Sequence, residues 1–190
     1  KTISVGNLST GGTGKTPHIE YLIRLLVDTF KIATISRGYG RKTSGFRIAS
    51  LNDNALTIGD EPAQYYQKFM DIIVAVDSKR KRGIKKLLNK FPALEIILLD
   101  DAFQHRSVKA GLQIVLTDYA NMYCDDKMLP TGNLREFKSG IKRADVIIVS
   151  KTPAIFSPIE RRHILAKINA DANQQVFFSY IQYDCITHFF

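Results

Sequence analysis

Ser9-Thr10-Gly11-Gly12-Thr13-Gly14-Lys15-Thr16 follows the apolar run Ile3-Ser4-Val5 by a few residues and leads into Pro17 to about Phe30, a segment with helical spacing. A glycine-rich octet closing on Lys-Thr between a strand and a helix dictates a strand–loop–helix unit. The glycines let backbone N–H groups converge on phosphate oxygens, Lys15 can reach the β and γ phosphates, and the Thr16 hydroxyl can bind Mg²⁺. The helix that follows points its positive end at the same phosphates. Pro17 suits a first helical turn, where its missing N–H is not needed. Ser9 stands where the consensus G-x-x-x-x-G-K-[ST] has glycine, and the bland alternative is a Gly-rich turn without a ligand. The strand before the octet and the helix after it argue for the nucleotide.

The rest of the chain repeats this alternation. Apolar runs predict strands at Thr2–Asn7, Ile32–Ser36, Ile72–Val76, Ile96–Asp100, Gln113–Thr117, Val146–Ser150 and Val176–Ile181. Helical spacing predicts helices at Pro17–Phe30, Glu61–Phe69, Arg80–Phe91 and Pro158–Ile168, the last capped by Ser157. Unbroken runs such as Ile96-Ile97-Leu98-Leu99 suit strands buried on both faces. The expectation is an α/β, P-loop NTPase-like domain over residues 1–190: a mostly parallel sheet with helices on both faces. Two connections are longer than such a scaffold needs, Arg37 to about Gly59 and Asp118 to about Ile141. Both should emerge beyond the carboxyl ends of the strands, where ligands bind.

A net charge of +9 favours acidic partners: phosphorylated substrates, an anionic membrane surface or nucleic acid. The excess concentrates in Lys79-Arg80-Lys81-Arg82 with Lys85-Lys86, and around Lys138, Lys142 and Arg143; a solvated helix face is the competing explanation for each run. No apolar run reaches the ~18 residues of a membrane-spanning helix. Cys124 and Cys185 are too few for a disulfide framework, lack metal-ligand spacing and suit a reducing compartment.

A nucleotide site needs a carboxylate at a strand end. Asp100 and Asp101, closing the run Ile96–Leu99, supply it for a Mg²⁺ shell, with simple capping of the next turn as the alternative. Asp60-Glu61 opens a helix: either a cap, or an acid that accepts the proton of an attacking hydroxyl. His105 and Arg106 add basic groups on the edge of the strand-end acids.

Taken together, Val5–Pro17, Ser36-Arg37-Gly38-Tyr39-Gly40-Arg41, Gly59-Asp60-Glu61-Pro62, Leu99–Arg106 and Leu129-Pro130-Thr131-Gly132-Asn133-Leu134-Arg135-Glu136 resemble, in order, the tetraacyldisaccharide 4′-kinase family. The resemblance implies transfer of the ATP γ-phosphoryl group to the 4′-hydroxyl of a tetraacylated glucosamine disaccharide 1-phosphate in lipid A synthesis. It implies a place at the cytoplasmic face of the bacterial inner membrane, an anionic surface, with no nucleic-acid partner. At matching positions it implies that Ser9, Thr10, Gly11, Gly12, Thr13, Gly14, Lys15 and Thr16 hold ATP and that Thr16, Asp100 and Asp101 surround Mg²⁺. Asp60 becomes the base, supported by Glu61 and Lys15, and Arg37, Gln104, His105, Asn133 and Arg135 become substrate contacts. Ala102 replaces a common family glycine. The family's N-terminal membrane helix, and a C-terminal block with a histidine that pairs with the catalytic acid, are expected to lie outside these residues; neither His163 nor His188 has the matching context.

The main rival is a ParA/MinD-like ATPase switch, whose loop K-G-G-x-G-K-T nearly fits, but Thr10 stands where its signature lysine would be. A GTPase would need Asn-Lys-x-Asp, for which Ser150-Lys151-Thr152-Pro153 is a poor substitute.

Overall fold

The computed structural model describes residues 1–105 and 107–182, so Arg106, Cys185 and His188 lie outside the described residues. Its frame is an eight-stranded sheet: β1 (Thr2–Asn7), β2 (Ile32–Ser36), β3 (Arg47–Ile48), β4 (Ile73–Val76), β5 (Ile96–Asp100), β6 (Leu112–Asp118), β7 (Val146–Ser150) and β8 (Gln175–Phe178). The spatial order is β3-β4-β2-β5-β1-β6-β7-β8. Every pairing is parallel except β3 against β4, which joins Arg47 to Val76 and Ile48 to Ala75.

The helices are α1 (Lys15–Leu26), α2 (Ala55–Ile58), α3 (Asp60–Lys68), α4 (Arg80–Lys90) and α5 (Pro158–Ile168), with a 3-10 helix at Lys138–Arg143. Successive strand residues face opposite ways. Leu98 therefore packs with Val5, Ile19, Ile23 and Tyr65 of β1, α1 and α3, while Ile97 and Leu99 pack with Ala33, Ile35, Ala75 and Leu87 of β2, β4 and α4. That double burial is why the strand runs are apolar throughout.

Several bounds move by one residue at an end, and some expectations shift further. α1 starts at Lys15 rather than Pro17, because Gly14 makes the left-handed turn (φ 85°) from which the helix springs, and it ends at Leu26 rather than Phe30. β8 stops at Phe178 rather than Ile181. The connection from Arg37 to Gly59 contains β3 and α2, both too short to leave a periodic signal. α2 is capped by Asn54, which accepts from the Leu56 N–H and takes the Thr57 hydroxyl on its own N–H.

Candidate active site

β1 delivers the phosphate loop to the middle of the sheet, between β5 and β6. Polar groups beneath it set its shape. Asn7, fully buried, donates to the Thr13 hydroxyl at 2.8 Å, and the Ser150 hydroxyl at the end of β7 donates to the Thr13 carbonyl at 2.8 Å. The His18 Nδ1–H donates to the Gly14 carbonyl at 2.7 Å, leaving Nε2 to accept from the Ser179 hydroxyl at 3.0 Å. Burial lowers the His18 pKa and so favours the neutral ring that this arrangement needs. On the other flank, the Asn133 carbonyl accepts from Thr10 N–H at 2.7 Å and Arg135 N–H donates to the Leu8 carbonyl at 2.8 Å. Gly11 (φ 102°) turns left-handed, and a Cβ placed on Gly11 or Gly12 would meet nothing within 4 Å. The loop is braced from below and open above, which fits a phosphate chain.

Asp100 and Asp101 come up beside it, because Val5 of β1 pairs with Asp100 of β5. Asp101 adopts φ 47°, with its N–H on the Val5 carbonyl at 3.0 Å. Its carboxylate is gripped bidentately by Arg135 (2.8 and 3.0 Å), and Lys15 Nζ stands 3.7 Å away. Arg135 also donates to the Asn7 side chain. Despite the cost of burial, these cations hold the Asp101 carboxyl below its ordinary range.

Asp100 is the opposite case. It is buried, takes the Tyr65 O–H at 3.0 Å, and has its pKa pushed up to about 6 by burial first and then by the Glu61 charge. Tyr65 in turn hydrogen-bonds the Thr16 hydroxyl. Thr16, Asp100 and Asp101 thus form a set of hard oxygen donors, which fits Mg²⁺. Among the described residues no cluster of three or more His, Cys, Asp or Glu side chains is built to cage a metal. Magnesium typically takes one or two carboxylates and completes its shell with phosphates and water.

The acceptor side is built from two glycine contacts. Gly59 (φ 96°) packs so tightly on Gly38 that an added Cβ would lie 2.9 Å from the Gly38 backbone, and a Cβ on Gly38 would lie 2.6 Å from the Ile58 carbonyl. The connection after β2 is thereby locked against the start of α3, where Asp60 and Glu61 occupy the first turn. Asp60 is exposed. Glu61 is half-buried and its pKa is raised, chiefly by burial, with the nearby Lys15 easing the shift and Asp101 and Asp60 adding to it. Arg37 and His105 stand together at the next edge: the His105 pKa is lowered by burial and by the charges of Arg80 and Arg37.

The structure brings the phosphate loop, Asp100, Asp101, Glu61 and Asp60 together, with Arg37 and His105 beside them. Two expected substrate contacts, Gln104 and Arg135, also brace the site through their side chains, and a third, Asn133, braces it through its backbone. Gln104 gives its amide N–H groups to the Asn7 carbonyl (2.7 Å) and Glu136 (3.1 Å). Asn133 holds Thr10 through its carbonyl and Asp126 through its N–H (3.0 Å), and Arg135 holds Asp101 and Asn7. The sequence reading missed Asn7, His18, Tyr65, Arg80 and Ser150. Tyr65 lies four residues after Glu61 and so shares its helix face, a signal that helical spacing carried. Arg80 donates to the nearby Asp77 carbonyl and to the Asp100 carbonyl, at 3.2 Å, and nothing local announces the second.

Comparison with known proteins agrees with this geometry. The family model for tetraacyldisaccharide-1-P 4′-kinase matches residues 1–182. Tetraacyldisaccharide 4′-kinase of Flavobacterium johnsoniae is 56% identical over 182 residues, covering 96% of this chain and 54% of the relative. That of Bacteroides fragilis is 52% identical over 182 residues, covering 95% and 48%. The chain thus spans about half the length of these curated relatives. Among solved structures, the Aquifex aeolicus LpxK in complex with ATP superposes with a TM-score of 0.72 at 28% identity, covering 94% of this chain and 70% of that one. With its phosphate loop, strand-end acids and Asp60-Glu61 turn assembled at one sheet edge and the family model spanning nearly all of its length, the chain belongs to the tetraacyldisaccharide-1-P 4′-kinase family.

Proposed function

We propose that the protein to which this chain belongs transfers the ATP γ-phosphoryl group to the 4′-hydroxyl of a tetraacylated glucosamine disaccharide 1-phosphate, at the anionic cytoplasmic face of the bacterial inner membrane. The observation that carries the reading is the coupling of the Asp60-Glu61 turn to the phosphate loop: Glu61 feels both Lys15 and Asp101. The residues that would take the acceptor and those that would take ATP therefore share one electrostatic site.

The loop Ser9–Thr16 holds the triphosphate, and Lys15 draws charge from its β and γ oxygens. Thr16, Asp100 and Asp101 would hold Mg²⁺, which would offset the charge that builds up as the phosphoryl group moves. Arg135 keeps Asp101 ionised and aimed at the loop. The acceptor oxygen bonds to the γ-phosphorus, the bond to the β-bridging oxygen breaks, ADP departs, and the hydroxyl proton passes to the Asp60 carboxylate. Phosphoryl transfer runs through a loose transition state, so a carboxylate beside the hydroxyl suffices as base. Glu61 stands behind Asp60 and keeps the acceptor edge negative. Arg37 and His105 border the acceptor position.

The test is transfer of labelled γ-phosphate to the disaccharide lipid by full-length protein. Asp60→Asn should cut turnover by about 10²-fold or more while leaving the KM for ATP near wild type. Full turnover by the variant would sink the assignment of the base. ATP-driven dimerisation with no transfer to lipid would move the reading to a nucleotide switch.

A further inference from the structure

α1 springs from the phosphate loop and α3 opens on Asp60-Glu61, so the placement of these helices against each other sets where the acceptor side stands relative to the nucleotide side. Thr16, Glu20 and Arg24 recur at intervals of four along α1, and Asp60, Gln64 and Lys68 do so along α3. Each trio therefore forms one stripe on its helix. The first member of one stripe belongs to the set that would hold magnesium, and the first member of the other is the candidate base.

The remaining members grip each other. Glu20 is only 6% exposed, and its Oε1 accepts from Gln64 Nε2 at 2.6 Å and from Lys68 Nζ at 2.8 Å. Its Oε2 takes Arg24 at 3.4 Å, and that guanidinium lies 5.3 Å from the ring centroid of Phe69, the residue that closes α3. Ile19, Ile23 and Tyr65 already supply the apolar contact between the two helices, so burial alone does not call for an acid there. A carboxylate taken out of water returns little net stability; what its fixed hydrogen bonds add is a single orientation.

A single orientation is what the first turn of α3 needs. The contact of Gly59 with Gly38 fixes where the helix begins, and Tyr65 pins its buried side through Asp100 and Thr16. Those points leave a helix free to roll about its axis. The Glu20 grip stops the roll, and it does so on the stripe that contains Asp60. A carboxylate stands about 5–6 Å from a helix axis, so a roll of about 10° shifts it by about 1 Å. Misplacement on that scale can cost about 10²-fold in rate. The phosphate loop does not depend on the grip, since Asn7, His18, Ser150 and Asn133 brace it.

We propose that Glu20 is a positioning residue: by holding Gln64 and Lys68 it sets the roll of α3 and so aims Asp60 at the acceptor hydroxyl. The inference rests on the kinase reading above, with Asp60 as its base. The experiment measures transfer of labelled γ-phosphate to the disaccharide lipid by full-length wild type, Glu20→Ala and Gln64→Ala/Lys68→Ala, each with Asp60 intact and with Asp60→Asn. Gln64 and Lys68 are exposed, so the double variant reads the grip even where Glu20→Ala fails to fold. With Asp60 intact, either change should lower kcat about 10–100-fold and leave the KM for ATP within about twofold of wild type. With Asp60→Asn neither should lower kcat further, because an effect passed through Asp60 has nothing left to act on. Glu20→Gln keeps an acceptor oxygen for Gln64 and Lys68 and should recover part of the rate. Unchanged kcat, a KM for ATP that rises in step with the loss, the same fold-loss in both backgrounds, or no recovery in Glu20→Gln would overturn the assignment. Wild type that transfers no phosphate to the lipid would remove the kinase reading and the positioning role with it, whereas wild-type transfer matched by both variants strikes only the grip.

Discussion

Replacing Asp100 by asparagine tests the charge balance of the site directly. The Asp100 carboxyl is buried, and its pKa of about 6 lies above an ordinary value of 3.8 because of burial and the Glu61 charge. That displacement of roughly two units corresponds to about 3 kcal/mol between the two protonation states. The folded protein holds this proton more tightly than the unfolded chain does. Stability is therefore lost as pH rises from about 4 to about 6 and stays lower above that window. Asparagine has no charge to bury and still offers Tyr65 an acceptor oxygen. In metal-free buffer Asp100→Asn should be more stable than wild type by about 2–3 kcal/mol near pH 7.5, with the advantage vanishing toward pH 4. Urea unfolding of both proteins with EDTA across that range measures it, and added Mg²⁺ at pH 7.5 should raise wild type more than the variant. A variant less stable than wild type at pH 7.5, or a difference that does not change with pH, would refute the reasoning.

Gly59→Ala adds a Cβ 2.9 Å from the Gly38 backbone at φ 96°, and should cost about 2–4 kcal/mol in thermal or urea unfolding. A cost under about 0.5 kcal/mol would show that the glycine contact does not hold the acceptor side together. Arg135→Lys removes the fork on Asp101, so kcat should fall about 10–100-fold with the KM for ATP nearly constant; a change confined to the acceptor KM would make Arg135 a substrate contact instead. Tyr65→Phe withdraws the one hydrogen bond that lowers the Asp100 pKa, and should move the acidic limb of the kcat profile upward. An unmoved limb would mean that Asp100 does not set it.

Legibility in the sequence tracked the range of the forces involved. β5 could be read from Ile96–Leu99 because both faces of that strand are covered, and the phosphate loop could be read because its glycines and Lys15 are consecutive. Arg80 could not. In sequence it belongs to a basic run that reads either as a surface for acidic partners or as a solvated face, and one of its buried hydrogen bonds goes to the Asp100 carbonyl at the end of another strand. Arg135 and Gln104 were legible as members of the site, but their bracing contacts were not. What makes them braces is their contact with Asp101 and the Asn7 carbonyl, groups brought near only when β1 and β5 pair. β3 left no trace because two residues show no period, and its place follows from the open edge of β4.

The sheet edge is electrically divided, and the division orders binding. Asp60, Glu61, Asp100 and Asp101 crowd the phosphate-loop side, where Lys15, Arg135 and the more distant Arg80 leave the carboxylates in excess. Such a site repels a bare triphosphate, so ATP should enter as its magnesium complex rather than before the metal. Across β2 the sign reverses: Lys79, Arg80, Lys81 and Lys85 line one cavity there, and the nearby Asp77 is already paired with Arg82.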